Sequence, residues 1–201
     1  MIKNIVFDLG GVLVDWNPRY LYQKIFQTEE EIDFFLDNIC TYTWNLEQDR
    51  GRTLAEATAE RIEKFPEFET EIKAYYGRWR EMFRGIIPEN VRLFEELLLQ
   101  EQYRIFALTN WSRETFPIAL ELFPFFNQFQ GVVMSGEEGF IKPQPEIYEI
   151  LFDRFELIPE QSVFIDDRQE NVKGALKMGM AAIHYESGVN LRSELHTLFL
   201  S

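Results

Sequence analysis

An α/β fold built on a doubly wound parallel sheet of about five strands is predicted for this chain by three observations. Five short apolar runs carry strand signals. Helical patterns alternate with the later runs, which implies right-handed crossovers and a sheet covered on both faces. Aspartates stand at the ends of the first and fourth runs, in Val6-Phe7-Asp8-Leu9-Gly10-Gly11 and Phe164-Ile165-Asp166-Asp167-Arg168. Open α/β sheets place their ligands at that end of their strands.

In chain order, Ile5 to Leu9 reads as the first buried strand, because it is short, β-branched at its start and stopped by two glycines. The alternation then breaks. From Trp16 to Gly85 the pattern is helical and rich in Glu, Phe and Tyr, with no strand signal of similar quality. Leu21, Tyr22, Ile25 and Phe26 share one helical face, and Ile32, Phe35, Leu36 and Ile39 share another. Pro66 reads as a break between two of these helices. The polar stretch from Trp44 to Arg52 reads as a solvated loop between helical patterns, with Arg50 and Arg52 as candidates to meet an anionic or polyhydroxyl ligand.

Alternation resumes after Pro88. A helix is expected over Glu89 to Gln100, a strand over Arg104 to Leu108, a helix over Arg113 to Phe123 and a strand over Gly131 to Ser135. Next come a helix over Pro145 to Phe155, a strand over Ser162 to Ile165, a helix over Glu170 to Met178 closed by Gly179, and a strand over Met180 to His184. Residues 1–15 and 86–201 are thus expected to form the core, and 16–85 a helical insertion after the first strand.

The 201 residues suffice for a full core, and their net charge of −14 excludes a phosphate-backbone binder, since cationic surface supplies most nonspecific nucleic-acid affinity. No apolar run approaches membrane-spanning length, and the N-terminal apolar stretch is too short for a signal peptide. A soluble, cytoplasmic protein is expected, with no nucleic-acid or membrane partner; nothing in the chain indicates an oligomeric state. The single cysteine, Cys40, excludes an intramolecular disulfide and reads as a small buried hydrophobe. His184 and His196 lack metal-ligand partners and read as structural.

Singly, the chemistry-bearing residues are ambiguous. Asp8 before two glycines is equally a turn residue, Thr109 and Asn110 equally a helix cap, Lys142 equally solvated surface, and Asp166-Asp167 equally an acidic helix start. Trp111 beside Thr109, and Trp16, Arg19 and Tyr20 near the start of the insertion, either pack or stack on a ligand. Their order removes much of the ambiguity. Asp8, Thr109, Lys142 and Asp166-Asp167, each at one edge of the expected sheet, resemble the four motifs of the haloacid dehalogenase-like (HAD) hydrolase superfamily. Within it, the chain resembles helical-cap members that act on sugar phosphates and carry Asp-Leu-Gly at the first motif.

That resemblance implies a Rossmann-like core with residues 16–85 as a cap that closes over the site and chooses the substrate. It implies Asp8 as a nucleophile forming an aspartyl-phosphate, with Thr109 and Lys142 holding the phosphoryl oxygens. Mg²⁺ would be held by Asp8, the backbone carbonyl of Gly10, Asp166 and Asp167, the last through water unless it instead orients Lys142, with Asn171 behind them. Asn110, Arg50, Arg52 and Trp111 are the candidates for substrate contact.

One position departs from the superfamily pattern. Most of its phosphatases carry an Asp two residues after the nucleophile as general acid and base, and this chain has Gly10. Asp15 is the nearest substitute in sequence but is expected to lie toward the insertion. The function expected is Mg²⁺-dependent hydrolysis of a small-molecule phosphate ester, a sugar phosphate being one such ester. The alternatives are a 2-haloacid dehalogenase, which needs no acid for its leaving group, and a metabolite-binding protein of low turnover.

Overall fold

The computed structural model describes residues 1–200. The chain opens with β1 (Asn4–Phe7) and β2 (Val14–Trp16). A helical stretch follows: α1 (Arg19–Tyr22), α2 (Glu29–Asn38), α3 (Tyr42–Asp49), α4 (Leu54–Lys64) and α5 (Glu69–Gly77), before β3 (Phe83–Ile86). The remainder runs α6 (Pro88–Leu99), β4 (Arg104–Thr109), α7 (Phe116–Leu122), β5 (Gly131–Met134) and α8 (Ser135–Glu138). It ends with α9 (Pro145–Phe155), β6 (Ser162–Asp166), α10 (Gln169–Lys177), β7 (Ala181–His184) and α11 (Leu191–Leu200).

Five strands form one sheet in the order β5-β4-β1-β6-β7, with every pairing parallel. The period-2 alternation of strand side chains sorts the core into two layers. Ile5, Phe7, Ile105, Ala107, Val163 and Ile165 face one side and pack with Phe94 of α6 and Leu195 of α11. Val6, Phe106, Leu108 and Phe164 face the other and pack with Tyr148 of α9 and Ala175 of α10. Both faces are covered, which is why the strands read as near-continuous apolar runs.

Register carries this arrangement to the site. Phe7 lies opposite Ala107 on one side and Ile165 on the other, and Asp8 continues the ladder by donating its N–H to the Ile165 carbonyl (2.8 Å). Asp8, Thr109 and Asp166 therefore leave three adjacent strands at the same edge. The chain winds outward from β1 to β4 and β5, then restarts on the opposite flank with β6, so the strand order reverses between β1 and β6. Asp8 and Asp166 sit at that switch point, where doubly wound sheets bind ligands.

The helical stretch has its own core, including Leu21, Tyr22, Phe35, Trp44, Tyr75 and Met82. Three of its helices start at threonines, with the hydroxyls of Thr28, Thr41 and Thr53 accepting the N–H groups of Glu31, Trp44 and Glu56 (3.1–3.2 Å). Pro66 opens a 3-10 turn between α4 and α5. Cys40 is buried within this cluster.

Three local expectations require correction. The stretch from Trp44 to Arg52, expected as loop, is helical as far as Asp49 within α3, because Thr41 caps the first turn and Trp44 anchors the helix in the apolar cluster. A two-stranded antiparallel ribbon, β2 with β3, flanks the insertion and pairs Val14 with Ile86 and Asp15 with Gly85. Its strands are too short and too polar to carry an alternation signal. Finally, α7 starts at Phe116 rather than Arg113, since Pro117 has no N–H to donate and fits only the first turn.

Candidate active site

Beyond the carboxyl ends of β1, β4 and β6 lies a cleft of about 130 Å³. From the sheet side it is lined by Asp8, Thr109, Lys142 and Asp167, and from the insertion by Tyr42, Asn45 and Asp49. At its floor, Lys142 is almost fully buried, with its three N–H groups all engaged: Asp166 Oδ2 at 2.7 Å, Asp8 Oδ1 at 2.9 Å and the Leu108 carbonyl at 2.9 Å. Its backbone is held equally firmly. Lys142 N–H donates to Asn110 Oδ1 (2.8 Å) and the Asn110 amide donates back to the Lys142 carbonyl (3.1 Å). Asn110, a candidate for substrate contact, thus lines the cleft while clasping the lysine loop.

Asp8 Oδ1 also accepts the Leu9 N–H (2.8 Å), so two donors set the plane of this carboxylate. Asp166 is fully buried and accepts from Lys142, the Arg168 N–H (2.8 Å) and the Asn171 amide (3.0 and 3.1 Å). Lys142 is oriented by Asp166 rather than by its neighbour Asp167. Asp167 is exposed toward the cleft and abuts Gly11 so closely that a Cβ there would meet its Oδ2 at 2.3 Å. Gly11 also adopts φ +73°, so this turn requires glycine on two counts. Gly10 differs: nothing lies within 4 Å of a Cβ built there.

Carboxylate oxygens of Asp8, Asp166 and Asp167 come within 4.8 Å of one another. Three acids thus cluster around one ammonium that pairs with only two of them, and the electrostatics show the imbalance. Burial raises the Asp8 carboxyl to about 7, with Lys142 opposing the rise and Asp166 and Asp167 adding to it. Asp167 is raised to about 6, again chiefly by burial and then by Asp166. Burial works to lower the pKa of Lys142, but the charges of Asp166 and Asp8 outweigh it and hold the ammonium charged. The Lys142–Asp8 contact does not bring Asp8 back to an ordinary carboxylate range, because that lysine is divided between two acids. An all-oxygen donor set with surplus buried negative charge fits a hard divalent cation.

The remaining candidates separate. Thr109 is buried at the end of β4 and lines the cleft. Trp111 lines it too, while packing flat on Phe83 (6.0 Å, 12°) and edge-on to Phe116. Arg50 and Arg52 do not line it: Arg50 is exposed, and Arg52 pairs with Glu60 and donates to the Glu56 carbonyl (3.3 Å). The loop expectation misdirected them, since a helix ending at Asp49 turns the next residues away. Asp15 lies on β2 and accepts from the Tyr20 hydroxyl (2.8 and 2.9 Å), outside the cleft lining. Arg19 pairs with Glu29 and Asp33. His184 contacts the Asp167 carbonyl (2.9 Å), and His196 is exposed on α11.

Sequence reading missed Tyr42, Asn45 and Asp49 as cleft residues. Their spacing of i, i+3 and i+7 puts them on one helical face, a signal available once Thr41 is taken as a cap.

A family model described as haloacid dehalogenase-like hydrolase matches residues 5–185. The chain belongs to the haloacid dehalogenase-like hydrolase family. Among curated relatives, a D-ribitol-5-phosphate phosphatase of Bacteroides thetaiotaomicron is 25% identical over 210 residues, covering 100% of both chains. A sesquiterpene phosphatase of Aspergillus oryzae is 26% identical, covering 98% of this chain and 96% of its own. Among solved structures, a HAD family enzyme from Bacteroides thetaiotaomicron, in complex with magnesium and inorganic phosphate, superimposes with a TM-score of 0.72 at 26% identity. That match covers 96% of this chain and 99% of the other. Among the described residues of this family member, no helix is long and apolar enough to cross a membrane.

Proposed function

We propose that this HAD-family chain is a Mg²⁺-dependent phosphatase of small-metabolite phosphomonoesters, with Asp8 as nucleophile. The observation that carries the reading is the clustering of the Asp8, Asp166 and Asp167 carboxylates at the sheet's switch point, with a buried lysine paired to Asp8 and Asp166. Asp8, Asp166, Asp167 and the Gly10 carbonyl are the groups that would hold the metal. Bound there, Mg²⁺ would neutralise the carboxylates and draw charge from the phosphoryl oxygens.

Asp8 attacks phosphorus in line, and an aspartyl-phosphate forms as the ester oxygen leaves. Lys142 favours the ionised form of Asp8 against its burial and, with the Thr109 hydroxyl, neutralises or hydrogen-bonds the transferring group. Water then attacks the intermediate and restores Asp8. Residues 16–85 serve as the cap, whose α3 face, Trp16 and Trp79, together with Trp111 of the core, enclose the leaving group. A mixed aromatic and amide lining suits a sugar or polyol phosphate, and the ribitol-phosphate and sesquiterpene phosphatases among its relatives support phosphomonoesters as the substrate class.

Dehalogenation is less well served, because three clustered acids would repel a haloacid carboxylate. Phosphate release from a panel of sugar and polyol phosphates tests the proposal. Activity is expected to vanish with a chelator, return with Mg²⁺, and fall at least about 10³-fold in Asp8→Asn. Chelator-resistant turnover, or an active Asp8→Asn, overturns it.

A further inference from the structure

We propose that Asp49, carried by the last turn of α3, is the proton donor and acceptor that position 10 lacks; this rests on the phosphatase reading above. The chain needs such a group. An alkoxide is a poor leaving group, and the water that opens the aspartyl-phosphate must lose a proton, yet Gly10 offers no side chain.

Asp49 lines the same cleft as Asp8 from the opposite wall, and at 7% exposure the little surface it keeps faces that cleft. Its position is set from both layers. The Asn45 amide donates to Asp49 Oδ2 (2.9 Å), and the Tyr76 hydroxyl, donating to Asn45 Oδ1 (3.0 Å), fixes which way that amide points. Gln48 in turn donates to Tyr76 (3.0 Å). From the core, the Ser112 backbone N–H favours the ionised carboxylate. The Ser135 hydroxyl donates to the Asp49 carbonyl and accepts the Trp111 N–H (2.9 Å). A buried acid tied to the core loop beside Thr109 is more than a surface residue folded inward.

The electrostatics suit the task. Burial pushes the Asp49 carboxyl up to about 7, against the Ser112 N–H; Asp8 adds to the rise and Lys142 opposes it. Tyr42 of α3 and Tyr75 and Tyr76 of α5 also face its charge, and the Asn45 amide contacts it directly. An acid poised near neutrality gives and takes a proton efficiently.

In the first step the ester P–O bond breaks, the Asp8 oxygen bonds to phosphorus, and the departing oxygen takes the Asp49 proton to leave as an alcohol. In the second, Asp49 carboxylate takes a proton from water as the water oxygen attacks phosphorus. The bond to Asp8 breaks, inorganic phosphate leaves, and Asp49 is protonated again.

The test compares glycerol phosphate with p-nitrophenyl phosphate, each with saturating Mg²⁺. In Asp49→Asn, turnover of the alkyl ester is expected to fall about 10²–10⁴-fold. With p-nitrophenyl phosphate, whose leaving group needs no proton, a burst of about one p-nitrophenolate per enzyme is expected before slow turnover. Adding Gly10→Asp to that variant is expected to restore at least about 10-fold on the alkyl ester, because a side chain fits there and supplies an acid. Unchanged turnover in Asp49→Asn overturns the proposal. So does equal loss on both esters with neither burst nor recovery in the double variant, which is the signature of a merely structural role. An Asp8→Asn variant as active as wild type would instead overturn the phosphatase reading itself.

Discussion

Lys142 shows how much one side chain settles. Its ammonium spans two buried carboxylates and a strand-end carbonyl, leaving no N–H unused. Lys142→Met keeps the volume but leaves Asp8 and Asp166 facing each other without a cation. The expected outcome is a loss of about 3–5 kcal/mol in stability, read from the urea midpoint, together with loss of phosphatase activity. At the neighbouring glycines the physics divides. Gly11 is imposed by φ +73° and the Asp167 carboxylate, whereas nothing steric imposes Gly10. The acid missing at Gly10 is therefore a chemical choice, consistent with a proton-transfer group supplied from elsewhere. In the sequence, Lys142 was legible only through its order among the motifs, because its burial depends on strands far away in the chain.

Among the elements, α3 was hidden and the sheet was not. The strands bury both faces, so their apolar runs announce them. α3 instead buries Asn45, Gln48 and Asp49, which in one dimension look like a solvated stretch. Its tie to the core runs through Ser135, at the start of α8, which bridges the Asp49 carbonyl and the Trp111 N–H. Ser135→Ala leaves both backbone groups without that partner. A stability loss of about 1–3 kcal/mol is expected by chemical denaturation. Turnover of alkyl phosphates should fall with it, while p-nitrophenyl phosphate should give a burst as in Asp49→Asn, since Asp8 is untouched. The β2–β3 ribbon was equally hidden: it is short, carries Asp15, Arg84 and Gly85, and forms only because the two junctions of the insertion come together.

For the whole molecule, the uneven charge of the site makes stability depend on pH and metal together. Asp8 and Asp49 are raised to about 7 and Asp167 to about 6, all first by burial, whereas the unfolded chain titrates them near 4. Between about pH 4 and 7 the folded state thus holds protons that the unfolded state has released, and stability falls as pH rises through that window. Their contribution is fully present below pH 4 and lost above 7. The metal-free protein is expected to melt at a lower temperature at pH 7.5 than at pH 5. Under the proposed ligation Mg²⁺ requires the ionised carboxylates, so its stabilisation should grow over the same range. Thermal melts at both pH values, with and without Mg²⁺, check the sign; a metal effect that shrinks as pH rises would contradict it.

The sequence by itself determined the strand and helix alternation, the place of the helical insertion and the order of Asp8, Thr109, Lys142 and Asp166-Asp167, because apolar period and motif order are written along the chain. Only the tertiary structure decided that Lys142 answers to Asp166, that Arg50 and Arg52 turn away, and that Asp49 enters the cleft. Burial and charge sharing are properties of the packed layers. They arise only when α3 is laid across the carboxyl edge of the sheet, a contact between residues far apart in sequence.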